Sequence, residues 1–159
     1  MPRTKSFPAP RLHPPQVRCL SIGVTLRRRD GAELRPAPER VMVAFPRHTF
    51  ADLALAVDEA FGRWELGRAR EFVFEDGFRV GEAAEPRRRG EVVDDRRCRL
   101  LRLQEGERFS YVAQTTERWD HECLVVGWID PAEVLLDRPS HPVAYQSVGR
   151  SPRGASASG

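Results

Sequence analysis

The chain has 159 residues, 40% of them hydrophobic and 31% charged, with a net charge of +3. This length suits one globular domain and is short for two. No apolar run approaches the roughly 18 residues of a membrane-spanning helix, and Cys19, Cys98 and Cys123 lack the close spacing of a disulfide framework. These features exclude a transmembrane protein and a small disulfide-stabilised fold. Because the N-terminus shows no apolar signal segment, we predict a cytoplasmic protein.

Both ends of the chain lack the apolar periodicity of a folded segment. Residues 1–16 contain five prolines and predict a disordered arm, since so few apolar side chains cannot offset the entropy of ordering. Residues 149–159 are rich in Ser, Gly and Ala and predict a flexible tail. The predicted domain therefore spans residues 17–148.

The clearest predicted element is a helix that begins after Thr49. Thr49 is a favourable N-cap, and Asp52 in the first turn complements the helix dipole. The helix is expected to end near Gly62. Its apolar side chains recur at helical spacing on one face, at Phe50, Leu53, Val57, Ala60, Phe61 and Trp64.

Strands are predicted on both sides of this helix from alternating apolar residues and turn signals. The predicted strands are Val17–Leu26, Arg40–Phe45, Glu71–Glu75, Phe78–Val80, Arg108–Val112 and Trp119–Ile129, with a turn at Arg27–Gly31. Residues 81–95 are an expected loop, 96–103 a short helix or turn, and 131–136 a helical turn. The order β-β-α-β-β-(α)-β-β predicts an α+β domain with an antiparallel or mixed sheet and one main helix packed on it.

The hairpin of the last two predicted strands carries the main candidate site. Phe109 and Tyr111 share one strand face, as do Trp119, His121 and Cys123. One interpretation is cross-strand aromatic packing with a hydrogen-bonded histidine. The other is a binding site at the hairpin mouth, composed of Phe109, Tyr111, Glu117, Trp119 and His121.

These hairpin residues also match a spaced motif, F-x-Y-x-Y-D-F-G-D-x-W-x-H. Its first two and last two fixed positions fall on Phe109, Tyr111, Trp119 and His121, and Glu117 stands for the second Asp. The Tyr-Asp-Phe-Gly core of the motif is replaced by Ala-Gln-Thr-Thr at residues 113–116. A site that depends on that core is therefore altered in this chain.

The predicted helix at Thr49–Gly62 matches a second motif, T-L-x-x-L-H-x-x-I-x-x-A-F-G-W, with Ala54 in place of the His. On these two motifs the chain resembles the plasmid pRiA4b Orf-three-like family, also described as insertion-element TnpR-type passenger proteins. The resemblance implies a compact α+β fold of bacterial genomes and mobile elements. It also implies an association with transposition but no known activity.

Other chemistry is weakly indicated. A zinc site at His121 and Cys123 needs further ligands from distant segments, and neither a phosphate-binding glycine loop nor a nucleophile elbow occurs. We therefore predict no metal, no cofactor and no catalytic residue. Runs of arginine are candidate phosphate contacts, although interleaved carboxylates favour a solvated charged loop; the runs are Arg27, Arg28, Arg29, Arg87, Arg88, Arg89, Arg96 and Arg97.

Three functional hypotheses follow. The leading one is a non-enzymatic accessory or binding module with an unknown protein or nucleic-acid partner and no membrane partner. The second is a nucleic-acid-binding protein that uses the arginine-rich loops. The third is a degenerate enzyme at the Tyr111, Trp119 and His121 hairpin, which requires those side chains to converge on a concave pocket. The sequence carries no signal for an oligomeric state.

Overall fold

The computed structural model describes residues 18–63, 69–82, 92–134 and 139–152. The predicted N-terminal arm, most of the predicted tail, Trp64 and the arginine run at residues 87–89 lie outside them. No helix in the described part of the chain has the length and apolar character needed to cross a membrane.

In the described part of the chain, nine strands form one mixed sheet and one main helix packs on it, which confirms the predicted α+β class. The strands are β1 (Cys19–Arg29), β2 (Ala32–Glu33), β3 (Glu39–Ala44), β4 (Ala69–Phe74), β5 (Arg79–Gly81), β6 (Val93–Asp94), β7 (Arg108–Gln114), β8 (Arg118–Ile129) and β9 (Val143–Val148). Their order is β6-β5-β4-β7-β8-β1-β3-β9, with β2 paired to β1. Every pairing is antiparallel except β5 with β6.

The main helix, α1, spans Phe50–Ala60 and begins as predicted. The Thr49 side chain accepts from the Asp52 N–H at 3.1 Å, and the Asp52 carboxylate accepts from the Thr49 N–H at 2.9 Å. This capping box satisfies two donors at the helix start. After the C-cap Phe61, Gly62 adopts a φ of 75°, a left-handed conformation that glycine accommodates without strain.

Several elements differ from the sequence-based expectations. Strand β1 continues through Arg29, where a turn was expected, because the chain reverses only at Asp30 and Gly31. The short strands β2 and β6 and the edge strand β9 were not predicted. They are short or largely exposed, so the alternation that marks a buried strand is weak. By contrast, a 3-10 turn at Leu100–Arg102 lies within the short helix or turn predicted at 96–103, and a four-residue helix, α2 (Pro131–Val134), lies within the helical turn predicted at 131–136.

The residues after β9 pack against the end of α1. Arg40, at the start of β3, donates to the carbonyl oxygens of Ala60 (3.0 Å) and Gly149 (3.0 Å). The Ser151 hydroxyl donates to the Phe61 carbonyl at 2.7 Å. The Arg40 guanidinium at the helix C-terminus complements the helix dipole. Through the bonds of Gly149 and Ser151, residues 149–152, the first part of the predicted tail, are held to the domain.

Candidate functional site

The predicted hairpin is formed by β7 and β8. Tyr111 pairs with His121, Phe109 with Cys123, and Ala113 with Trp119. All of these side chains point toward α1. The aromatic rings therefore meet across the strands as predicted, and the Tyr111 and His121 ring centroids are 5.1 Å apart.

Burial decides what this hairpin can do. Tyr111, Trp119 and His121 are only 0%, 1% and 2% exposed, and Phe109 is also buried. The expectation that these four side chains line an accessible hairpin mouth is therefore wrong, because alternation along the strands turns them into the core beneath α1. Among the described residues the side chains converge in a sealed core, and this counts against the degenerate-enzyme hypothesis.

Polar side chains within this core form one connected network. The Arg63 Nη2 donates to Asp58 Oδ1 at 2.9 Å and to His121 Nε2 at 2.6 Å. The Tyr111 hydroxyl donates to Asp58 Oδ2 at 3.1 Å. We call Asp58, Arg63, Tyr111, Trp119 and His121 the buried cluster. It ties the end of α1 to β7 and β8.

The hydrogen bonds of His121 determine its protonation state. Its Nδ1 lies 2.9 Å from the Tyr111 carbonyl oxygen, which only accepts, so Nδ1 carries the proton. Its Nε2 must then accept from Arg63, and the ring is neutral. Burial, reinforced by the positive charge of Arg63, holds the pKa of His121 well below its ordinary value.

Asp58 and Tyr111 share a short polar contact inside the core. Burial raises the pKa of the Asp58 carboxyl, and the adjacent Arg63 opposes that rise. Burial also raises the pKa of the Tyr111 hydroxyl, and the Asp58 charge adds to that rise. Tyr111 therefore remains a protonated donor, and the Asp58 carboxyl is paired with Arg63 at 2.9 Å.

Arg63 is held by aromatic rings as well as by hydrogen bonds. Its guanidinium carbon lies 5.0 Å from the Trp119 ring centroid and 5.4 Å from that of Phe61. Among the described residues, its buried Nε and Nη1 have no hydrogen-bond partner. Cation–π contact thus offsets part of the cost of burying the charge. The sequence motifs did not point to Asp58 or Arg63 as polar partners of the hairpin.

Glu117, the fifth candidate, lies in the hairpin turn. Its carboxylate accepts from Arg29 Nη2 at 2.6 Å, and the Arg29 guanidinium carbon lies 5.2 Å from the Trp119 ring centroid. Glu117 therefore orients Arg29 over the edge of the buried cluster. Its side chain thus links the hairpin turn to β1.

The candidate phosphate-binding arginines do not form one basic surface among the described residues. Arg27 pairs with Glu122 at 2.8 Å and Arg29 with Glu117, and Arg97 lies 4.0 Å from Asp94. Arg28 and Arg96 are exposed. Arg87, Arg88 and Arg89 are outside the described residues.

Metal ligands are not brought together in the part of the chain that the structure describes. There, no group of three or more His, Cys, Asp or Glu side chains is placed to hold an ion. Cys123 is buried beside the aromatic rings, and burial raises the pKa of its thiol above its ordinary value. A protonated thiol is a poor metal ligand.

The opposite face of β7, β8, β1 and β3 carries a groove that the sequence did not reveal. The groove has a volume of about 310 Å³. Its floor is Gly23, Val41 and Leu124, Val126 stands at its edge, and its rim carries Arg27, Glu39, Arg108 and Glu122. We call this surface the open face and the depression the Gly23 groove. Its residues are ordinary strand residues, which is why no motif marks them.

Comparison with known proteins identifies a solved structure with a similar fold. No protein-family model matches the sequence, and no curated protein matches it significantly. The crystal structure of a protein of unknown function, MM3350 from Methanosarcina mazei Go1, is similar, with a TM-score of 0.65 and 13% sequence identity. The match covers 85% of this chain and 71% of that chain. This likeness shows a shared architecture.

Proposed function

We propose that this chain is a non-enzymatic accessory or binding module of the cytoplasm that contacts a protein partner through its open face. The observation that carries the proposal is the Gly23 groove. Its apolar floor is accessible, and Val126 is 56% exposed. Exposed aliphatic surface rimmed by polar residues is typical of protein interaction sites.

The charges around the groove favour a protein over a nucleic acid. Arg27 and Arg108 both pair with Glu122, at 2.8 Å and 3.2 Å, and Glu39 adds a second carboxylate. A phosphate backbone requires a surplus of cations. A mixed rim around an apolar floor matches the anatomy of protein–protein interfaces.

The resemblance to the pRiA4b Orf-three-like passenger proteins supports an accessory role on a mobile element. The sealed buried cluster is consistent with that role, because the motif residues contribute to folding and leave the open face to recognition.

The proposal is tested by affinity capture from the native host with two matched variants. Val126→Asp places a charge in the groove, and Leu101→Asp places the same charge at another exposed aliphatic side chain, which is 67% exposed. Partners bound by the wild type and by Leu101→Asp, but lost with Val126→Asp after nuclease treatment, support the proposal. Equal capture by all three proteins contradicts it.

Nucleic-acid binding through the arginine-rich loops is the second candidate, favoured by the sequence pI of about 9.1 and the exposed Arg28 and Arg96. It predicts affinity for duplex or single-stranded DNA that falls steeply as salt increases. Binding that is absent at low salt, or that does not change between low and moderate salt, contradicts it.

A further inference from the structure

Gly23 is an unusual residue for its position. It lies within β1, which is paired on both sides, opposite Leu124 on β8 and Val41 on β3. A glycine weakens such a strand and often marks a place where another group approaches closely. Either the backbone conformation or the surroundings of this position would have to require a glycine.

The conformation and the surroundings of Gly23 do not require a glycine. It is not among the glycines with positive φ. A Cβ built at Gly23 would lie 3.8 Å from Val126 Cγ2 and 3.9 Å from the Leu124 carbonyl oxygen, both ordinary contacts. A side chain there would instead fill the groove. The glycine thus preserves an empty depression on the open face.

A projecting side chain lies directly beside that depression. Ser21 pairs with Gly127 and Ile22 with Val125, so Val126 is the extra residue of a bulge in β8. Bulges redirect side chains, and Val126 is 56% exposed. The open face therefore holds a knob and a hole next to each other.

The charges on the same surface also occur in both signs. Glu122 is shared by Arg27 and Arg108, which leaves a surplus positive charge at that end of the groove. Glu39, which lies on β3 opposite Thr25 of β1, is exposed and makes no ion pair with any described residue. Both signs on one patch are what a two-fold interface needs, because the patch must complement itself.

From these observations we propose that the occupant of the Gly23 groove is a second copy of this chain. The two open faces meet about a two-fold axis. Val126 of each copy seats over Gly23 of the other, and Glu39 of each copy faces the arginines of its partner. This inference rests on the open face identified above and names the partner of that face.

The test is sedimentation velocity on the purified full chain from about 1 μM to about 200 μM, the range in which weak dimers dissociate. The wild type is expected to show a monomer–dimer equilibrium. Gly23→Leu fills the hole and should raise the dimer dissociation constant about tenfold or more. Leu101→Asp, a control away from the groove, should leave that constant unchanged. Glu39→Gln should weaken the dimer by a smaller factor and reduce its salt dependence.

Val126→Asp provides a second disruption if Gly23→Leu fails to fold, and circular dichroism checks the fold of each variant. A wild type that stays monomeric throughout overturns the inference, as does dimerisation of Gly23→Leu and Val126→Asp equal to that of the wild type. A monomeric wild type whose capture of a host protein still depends on Val126 overturns the two-fold dimer but leaves the proposed function standing. A wild type that dimerises but captures no host protein through Val126 overturns the proposed function and leaves the two-fold dimer standing.

Discussion

The same three strands, β7, β8 and β1, present two different faces. Toward α1 they carry the buried cluster, in which the polar side chains are paired within the core. On the open face they carry aliphatic and charged side chains around the Gly23 groove. Because side chains alternate along a strand, residues adjacent in sequence, such as His121 and Glu122, belong to opposite faces. The aromatic and polar residues of the buried cluster stabilise the fold, and residues that no motif marks form the accessible surface.

The two faces also differ in what a substitution should do. In the core, removing one member of a network leaves its partners buried and unpaired, which is costly. On the open face, solvent replaces a lost contact. Substitutions at the buried cluster should therefore change the free energy of unfolding, and substitutions at the groove should change association.

The largest effect is expected for Asp58→Ala. It removes the carboxylate that pairs with Arg63 at 2.9 Å, and an unpaired buried charge costs about 3–5 kcal/mol. Urea denaturation measures the loss. Asp58→Asn keeps the size and an accepting oxygen and should cost less. A loss below about 1 kcal/mol for Asp58→Ala would mean that the network is not part of the folded core.

Acidification should destabilise the protein through His121. Its folded pKa lies below the unfolded value, so the unfolded state takes up the proton first. The stability it contributes is complete above about pH 6.5 and falls as pH drops, by up to about 2 kcal/mol at pH 5. His48, whose pKa burial also lowers, acts in the same direction, and Asp58, whose pKa is raised, acts in the opposite one.

His121→Gln isolates the histidine term. Glutamine supplies an oxygen that accepts from Arg63 but does not titrate in this range. The difference in unfolding free energy between wild type and variant should shrink from pH 7 to pH 5. A constant difference would show that His121 does not titrate on unfolding.

Tyr111→Phe should have a moderate effect. It removes the donor to Asp58 Oδ2 at 3.1 Å and should cost about 1–2 kcal/mol, the value of a hydrogen bond to a charged group. The packing of the ring against Phe72, at a centroid distance of 4.6 Å, is retained. A thermal or urea unfolding curve unchanged from the wild type would contradict the assigned contact.

The smallest effect is expected on the open face. Gly23→Ala should stabilise the monomer by about 0.5–1 kcal/mol, because alanine loses less backbone entropy and meets no close contact. Gly31→Ala is the matched control and should destabilise, since Gly31 has a φ of 81°. Equal changes in the free energy of unfolding for Gly23→Ala and Gly31→Ala would contradict the conclusion that the groove has room for a side chain at Gly23.

Local signals made the helix and the hairpin predictable. The N-cap Thr49, the spacing after Phe50 and the alternation in β7 and β8 all depend on neighbours in the sequence. The same alternation placed Phe109 and Tyr111 on one face of their strand, and Trp119 and His121 on one face of theirs. What alternation does not reveal is which face meets the helix, and for this reason the candidate site was expected at the surface.

The rest depends on distant segments. Asp58 and Arg63 join the cluster only because the end of α1 reaches β7 and β8, a contact across more than fifty residues. The groove requires Val41, Gly23 and Leu124 from three strands. Strand β9, which was not predicted, is an edge strand whose residues are largely exposed, so its hydrophobic pattern is weak.

Hydroxyl-radical footprinting at increasing protein concentration tests the contrast between the two faces most directly, because it reports the solvent accessibility of individual side chains. Trp119, Tyr111 and His121 should stay protected at every concentration. Leu124 and Val126 should be modified in dilute protein and become protected as the concentration rises. Modification of Trp119 and Tyr111 in the native protein, or modification of Leu124 and Val126 that does not depend on concentration, would contradict the assignment of structure to one face and association to the other.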